Sequence, residues 1–525
     1  MIPFQSSESE IKHLSWLPVI TAFFLLWGLA FIFRTTFLIG DVRYTCLFDD
    51  AMISMTYARN LVDGYGLNWA RWGDPVEGFT HPLWLGFMLI PNALGIPIPL
   101  RSLFIQLLSL GILAANLWAL ESFMRRHWPD LRLASFVAVT ATAAYYPLNH
   151  WALQGMETGF QSLLLLLGLR YALDGGSKSF LKLALVGTTA TLLRMDMWIP
   201  TIILLGAFWS TSGLSDRRTL LVGIGILVLP NLAYLVFRWG YFHDILPNTY
   251  YLKMTGGNLE IRILRGLDVF IEFARPLWLL LFSAAFTAAA FWNSLPQVRW
   301  LSLLLFAQFE YAVWVGGDAW EQSSIGANRF TSFVMPLVFL LASLGLDRTG
   351  IVPHRKRFAI LCSLLLICIS NGFLETGWKD HFENFTLRTC PHNVGAHQTI
   401  LRDTLVLNAA ISKTTRVAVT WAGIPAFFSD YQLIDIFGYN DRFLAKSREA
   451  RETRFENPSM FQPGHMKFSL HHTFDDLAPD VIYFSGYLSS EFEAQELISR
   501  GFRKDGIYWL RSGFIPQRPL SPTSP

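Results

Sequence analysis

The sequence predicts a polytopic α-helical membrane protein that carries a C-terminal α/β domain outside the bilayer. Three observations predict it. The chain of 525 residues is 52% hydrophobic and only 15% charged, where a soluble protein holds about a quarter charged residues. Its apolar residues fall in blocks close to the length that crosses a bilayer core of about 30 Å. Beyond residue 374 the blocks stop, charge rises and short β-type runs take over.

In chain order, hydrophobic spans are expected at 14–33, 101–123, 133–148, 158–173, 179–193, 197–210, 219–237, 277–292, 300–315, 331–346 and 358–374, about eleven crossings by the length criterion. The first runs directly into a polar motif with no small-residue cleavage site, so it reads as an uncleaved anchor. Residues 82–99 are apolar but broken by Pro82, Pro91, Pro97 and Pro99. They are expected as a helix lying on the membrane surface. The positive-inside rule agrees with that choice. With the N-terminus in the cytoplasm, Arg125, Arg126 and Arg132, then Lys178 and Lys182, Arg217 and Arg218, Arg299, and the run Arg348, His354, Arg355, Lys356, Arg357 all fall inside. The polar motifs then fall on the opposite, outer face.

The C-terminal runs RVAVTWAG (416–423), LIDIFG (433–438), VIYFSG (481–486) and YWLRS (508–512) alternate with helical stretches. The organisation is a membrane module over 1–374 with an outer first loop at 34–100, an α/β domain on the same outer side over 375–515, and a tail over 516–525 that is disordered by composition. A net charge of +3 gives no support for nucleic-acid binding. Neither a Gly-rich nucleotide loop nor a Walker pattern is present, so nucleotide-driven chemistry has no home. The four cysteines show no zinc spacing. Cys362 and Cys368 lie inside a span, while Cys46 and Cys390 share the outer side, where a disulfide is compatible with the compartment.

The string FDDAMISMTYARNLVDGYG follows the first span and opens with Asp49 and Asp50. One aspartate suffices to cap a helix and complement its dipole. Two in succession point about 100° apart, so one is expected as a catalytic base and the other as a cap or metal contact. The helix they open reads as amphipathic, with Ala51, Met55, Ala58 and Val62 on one stripe and Ser54, Asn60 and Asp63 elsewhere. It is expected to lie on the surface and hold the acidic pair at headgroup level. Arg59 is placed to meet a phosphate or to snorkel. Glu77 and His81 follow in VEGFTHPLW on the same loop.

Further ionisable groups stand at the outer ends of spans: Glu157; Arg194 with Asp196; Asp244, Asn248 and Lys253; Asp318 with Arg329. Charges this close to hydrocarbon are costly and are paired or functional. Together they are expected to line one outward cavity. Glu157, Asp196, Asp244 and Asp318, with Asn248 and with Glu77 and His81 from the first loop, would bind the sugar substrates, and Arg59, Arg194, Lys253 and Arg329 a phosphate. Sugar transfer from a lipid phosphate needs a base for the acceptor hydroxyl and cations for the leaving phosphate. A single carboxylate with Arg or Lys suffices for inversion by direct displacement; the sequence names no cofactor and leaves a divalent cation open.

The strings DDAMISMTYARNL, VEGFTHPLW, GMETG, LLRMD, HDILPNTYYLK, GGDAW with NRF, WAGIPAFFS, DIFGYND and PGHMKF, in this order, resemble the GT-C glycosyltransferases. The resemblance is to the branch that contains the mycobacterial terminal arabinofuranosyltransferase, and it covers most of the chain. It implies an inverting enzyme of the bacterial inner membrane. Such an enzyme uses a polyprenyl-phosphate sugar, here with arabinofuranose as the candidate, on the periplasmic side and a polysaccharide or glycolipid acceptor of the envelope. It places the base at Asp49 or Asp50, with Asp49 preferred by position in the motif, and it suggests that the outer domain binds the acceptor glycan. LLRMDMW departs from the Arg-Pro-Glu form of the family, which bears on Asp196. Two other classes remain: a transporter or flippase of lipid-linked sugars, which would need charges deep in spans and repeated halves, and a non-enzymatic envelope or motility factor.

Overall fold

The computed structural model describes residues 16–211, 216–319, 327–348, 355–447, 461–483 and 491–520. Each of the eleven expected spans coincides with a helix: Trp16–Arg34, Arg101–His127, Arg132–Ala143, Thr158–Asp174, Gly176–Leu193, Trp198–Thr211, Arg217–Phe242, Leu259–Phe291, Pro296–Trp314, Met335–Arg348 and Arg355–Ser370. Four stretches are long and apolar enough to cross a membrane by themselves: Trp16–Arg34, Ile98–His127, Arg217–Phe242 and Leu259–Phe291. Helix Arg217–Phe242 leaves Leu221, Val222, Leu229, Leu232, Val236 and Trp239 exposed, a band that matches lipid as solvent.

Two expected spans differ in detail. The span at 133–148 ends at Ala143, and Tyr146–Leu153 forms a separate helix. Pro147 sits at the start of that helix, where a missing N–H costs nothing. The span at 277–292 is only the second half of the 33-residue helix Leu259–Phe291, which continues through Pro276. Its polar first half packs on the outer domain: Arg265 Nε donates to the Phe461 carbonyl at 3.2 Å. Of the basic run at 348–357, residues 349–354 lie outside the described residues.

The segment 82–99 is helix Pro82–Ala93 followed by a 3₁₀ turn at Ile98–Leu100. A hairpin, β1 (Thr36–Ile39) with β2 (Val42–Thr45), precedes the acidic pair and is not expected from sequence.

The C-terminal region forms one five-stranded sheet from β3 (Arg416–Val419), β4 (Gln432–Asp435), β5 (Val481–Tyr483), β6 (Phe502–Asp505) and β7 (Tyr508–Arg511). Strand order is β4-β3-β5-β7-β6. β3 runs parallel to both its neighbours, and β5, β7 and β6 pair antiparallel. Strand β6 escapes a sequence reading because FRKD alternates too weakly to be read as a strand. Of the run at 481–486, residues 484–486 lie outside the described residues.

Two other expectations are corrected. The tail packs down over residues 516–520: the Gln517 amide donates to the Ala410 carbonyl at 2.7 Å, and Leu520 is buried. Residues 521–525 lie outside the described residues. Cys46 and Cys390 are both free, the first buried in the core and the second exposed, so no disulfide joins them.

Candidate active site

The acidic pair opens helix Asp49–Val62, where two carboxylates in the first turn complement the dipole. This helix does not lie on the surface. Every residue from Ala51 to Asn60 is buried, Ser54 and Asn60 included. Helix Pro82–Ala93 covers it on one side, and on another the short helix Ile424–Phe428 of the C-terminal domain. Of the polar side chains that suggest a wet face, Asp63 alone is exposed, Ser54 turns to His81, and Asn60 is spent beneath that junction. Asn60 Nδ2 donates to the Asn68 and Trp69 carbonyls at 3.0 and 2.8 Å. Trp69 Nε1 donates to the Ala422 carbonyl at 2.8 Å. Arg59 neither snorkels nor faces a ligand site: its guanidinium donates to the carbonyls of Phe427 and, at 3.0 Å, Ser429.

Asp49 and Asp50 separate as adjacent helical residues must. Asp49 is 6% exposed and turns to the C-terminal domain, accepting the Gly423 amide at 3.0 Å and the Ile424 amide at 2.8 Å. A Cβ on Gly423 would stand 2.0 Å from the Asp49 carbonyl oxygen, so only glycine allows this approach. Burial raises the Asp49 carboxyl to about 7, against the lowering effect of those amides. Asp50 turns the other way. Its side chain is 22% exposed, and Oδ2 accepts from Arg329 Nη1 at 2.7 Å. Of the two candidates for the base, Asp50 is the carboxylate that lines a cavity, whereas Asp49, preferred by its position in the motif, faces the C-terminal domain.

That cavity, of about 170 Å³, is lined by Asp50, Ser54, His81, Arg194, Asp196, Lys253, Tyr311, Asp318, Arg329 and Tyr439 among others. Two ion networks fix its charges. Arg329 bridges Asp318, through Nε at 2.6 Å and Nη2 at 2.7 Å, to Asp50. Asn328 caps the short helix that carries Arg329 by accepting the Thr331 amide at 2.9 Å. In the second network Arg194 reaches Glu157 at 2.6 Å and Asp196 at 2.9 Å. Burial works against the Glu157 carboxylate, but His81 and Arg194 overcome it and hold it at about 2. His81 stands 3.4 Å from Glu157 and shares a 2.7 Å hydrogen bond with Ser54. Burial pushes His81 below the usual histidine range.

Lys253 differs from both arginines. Its ammonium has no hydrogen-bond or ion-pair partner among the described residues, and it stands 5.5 Å from the centroid of the Tyr439 ring. Burial lowers its pKa, a cost that an anion would relieve.

The structure thus brings Asp50, His81, Arg194, Asp196, Lys253, Asp318 and Arg329 to one cavity, with Glu157 directly behind His81 and Arg194. Glu77, Asp244 and Asn248 are not on its wall. Glu77 is buried against Arg238 at 2.6 Å and Tyr234 at 2.7 Å. Asp244 pairs with Lys446 at 2.7 Å. Asn248 Nδ2 donates to the carbonyls of Gly438, Tyr439 and Asp441 at 2.9, 3.0 and 3.1 Å. Asp244 and Asn248 are fasteners to the C-terminal domain. Tyr311, Ser54 and Tyr439 are wall residues that sequence reasoning misses, since neutral side chains give no charge signal. The motif DIFGYND contains the third.

Among the described residues no group of three or more His, Cys, Asp or Glu is arranged to hold a metal ion. Asp50 and Asp318 both close on Arg329, whose charge opposes a cation there. The described side chains do not fit a resident metal.

Several solved structures are similar to this chain. ArnT from Cupriavidus metallidurans bound to undecaprenyl phosphate superposes with a TM-score of 0.53 at 11% identity, covering 80% of this chain and 85% of that one. The same protein in its apo state gives 0.52 at 12% identity with the same coverage. The arabinofuranosyltransferase AftD from Mycobacteria gives 0.43 at 14% identity over 89% of this chain and 35% of that one. A family model described as a domain of unknown function (DUF8728) matches residues 393–512. No curated protein matches the chain. The chain has the polytopic helical fold seen in ArnT, to which a C-terminal sheet-containing domain is joined.

Proposed function

We propose that this protein is an inverting membrane glycosyltransferase. It would move a sugar, with arabinofuranose the first candidate, from a polyprenyl-phosphate donor to a cell-envelope glycan on the periplasmic side of the bacterial inner membrane. The single observation that carries the reading is the pairing, in one cavity, of the Asp50 carboxylate with three cations, Arg329, Arg194 and Lys253. The GT-C fold agrees with it, as does the undecaprenyl phosphate bound to the structural relative ArnT. The membrane module 1–374 would hold the reaction, and the domain 375–515 would close its outer side.

The chemistry needs one base and a cationic seat for the leaving group. Asp50 takes the proton of an acceptor hydroxyl. The freed oxygen lone pair attacks the anomeric carbon from the side opposite the phosphate. The bond from that carbon to the phosphate oxygen breaks, and its electrons leave on the phosphate. Lys253, which has no hydrogen-bond or ion-pair partner among the described residues, is placed to meet that charge first. Arg194 and Arg329 are already held rigid by carboxylates and add a fixed field that needs no reorganisation. The anomeric centre inverts because a single displacement occurs.

The experiment that tests this is the glycan profile of the envelope from a deletion strain, with and without rescue by the native gene. Loss of one sugar on deletion and its return on rescue supports transfer and identifies the donor. An unchanged profile, in a strain without a second copy of the gene, overturns it.

A further inference from the structure

The C-terminal domain reaches into the cavity through one side chain. Tyr439 sits in the loop after β4, and that loop is built to hold it still. Asp435, at the end of β4, accepts the amides of Phe437, Gly438 and Asn440 at 3.1, 3.2 and 2.9 Å, and Asn440 Nδ2 at 2.9 Å. From the membrane module, Asn248 holds the Tyr439 carbonyl, and Tyr57 donates to Asn440 Oδ1 at 2.9 Å. Two glycines make room. A Cβ at Gly464 would lie 2.3 Å from the Tyr439 hydroxyl, and one at Gly78 would lie 2.9 Å from its carbonyl oxygen.

The side chain so placed is 9% exposed and lines the cavity. Its hydroxyl has no hydrogen-bond partner among the described residues. Tyr439 is a wall residue of the cavity, and a phenolic hydroxyl without a protein partner can donate to a bound group there. Burial, with the neighbouring Asp50, raises its pKa well above the ordinary value, so it is present as a donor. Lys253 flanks the ring. The ring therefore stands beside both the group that would face the acceptor and the one that would face the phosphate. What lies between acceptor and phosphate is the sugar in transit.

We propose that the Tyr439 hydroxyl donates a hydrogen bond to a hydroxyl of the donor sugar, so that the C-terminal domain reads the identity of the sugar. This rests on the transferase reading above. It gives the domain a role in donor selection, distinct from the acceptor binding that the family resemblance suggests.

The test is binding by the purified full-length protein in detergent. The probes are polyprenyl phosphate alone, the polyprenyl-phosphoryl derivatives of arabinofuranose, xylose, mannose and galactose, and the monodeoxy analogues of whichever sugar binds best. Tyr439→Phe keeps the ring, its contact with Lys253 and the loop. It should weaken the preferred sugar lipid about tenfold or more and leave bare polyprenyl phosphate unchanged. In the native protein, one monodeoxy analogue should lose the same factor, and Tyr439→Phe should not discriminate against it further. If the native protein prefers one sugar lipid but Tyr439→Phe keeps that preference, the assignment of Tyr439 is overturned and the transferase reading stands. If the native protein binds no sugar lipid better than the bare phosphate, the transferase reading fails first. If Tyr439→Phe does not fold, the analogues decide alone: equal binding of all of them overturns the proposal.

Discussion

Asp49 and Asp50 are consecutive in the chain, and their carboxylates serve opposite sides of one helix start. Asp49 accepts two amides of the C-terminal domain, at 3.0 and 2.8 Å. Asp50 accepts Arg329 across the cavity at 2.7 Å. One carboxylate seats the outer domain and the next faces the site, so the seating of the domain and the aim of the proposed base are fixed by the same turn of helix.

Removing the seat should loosen the domain. Asp49→Ala leaves the Gly423 and Ile424 amides buried without an acceptor, at a cost of about 1–3 kcal/mol for each. Thermal unfolding of the purified protein should show the loss, and limited proteolysis should cut between 375 and 423 sooner than in the native protein.

The same carboxylate gives stability a pH dependence with a definite sign. Its pKa is raised from 3.8 to about 7 in the folded protein, so the folded state holds the proton more tightly than the unfolded chain. The contribution is fully present below about pH 3.8 and is lost as pH rises to about 7. Asp49→Asn cannot titrate. The difference in unfolding temperature between the native protein and the Asp49→Asn variant should change across that window and be flat above it.

Gly423→Ala tests the closeness of the junction independently of charge. The new methyl would meet the Asp49 backbone oxygen at 2.0 Å, and backbone cannot swing aside as a side chain can. The variant should lose sugar transfer and domain docking together, whereas Gly395→Ala, where nothing lies within 4 Å of the added carbon, should lose neither.

Arg329→Gln should be severe for a different reason. Asp318 is 2% exposed and keeps both its oxygens on Arg329. Removing one partner of a buried pair costs about 3–5 kcal/mol. Arg329→Lys keeps the charge, yet one ammonium cannot span Asp318 and Asp50 as the planar fork does. It should restore much of the stability and little of the activity, which unfolding and transfer assays on the same preparation would separate.

The spans are legible in the sequence because hydrophobic length is a local signal. So is the gathering of Asp50, Arg194, Lys253, Asp318 and Arg329, since a charge at the end of a span is too costly to keep unless it is paired or used. The helix at 49–62 misleads a sequence reading because its covering partner, Ile424–Phe428, lies far along the chain, and no periodicity within the helix records it. Arg59, Asp244 and Asn248 fall to the cavity on the same rule that succeeds for Arg194. They differ only in having the carbonyls and charges of the C-terminal domain opposite them, which sequence order does not reveal. Tyr439 carries no signal beyond its place in a motif.

The decisive experiment compares Asp50→Asn with Asp49→Asn in sugar transfer by protein shown to be folded. Loss of a general base costs about 100- to 10,000-fold, and Asp50→Asn should fall in that range. Asp49→Asn keeps one acceptor for the docking amides and should fall by no more than about tenfold. The reverse order, with Asp50→Asn near native and Asp49→Asn inactive though folded, would contradict the assignment of Asp50 as the base.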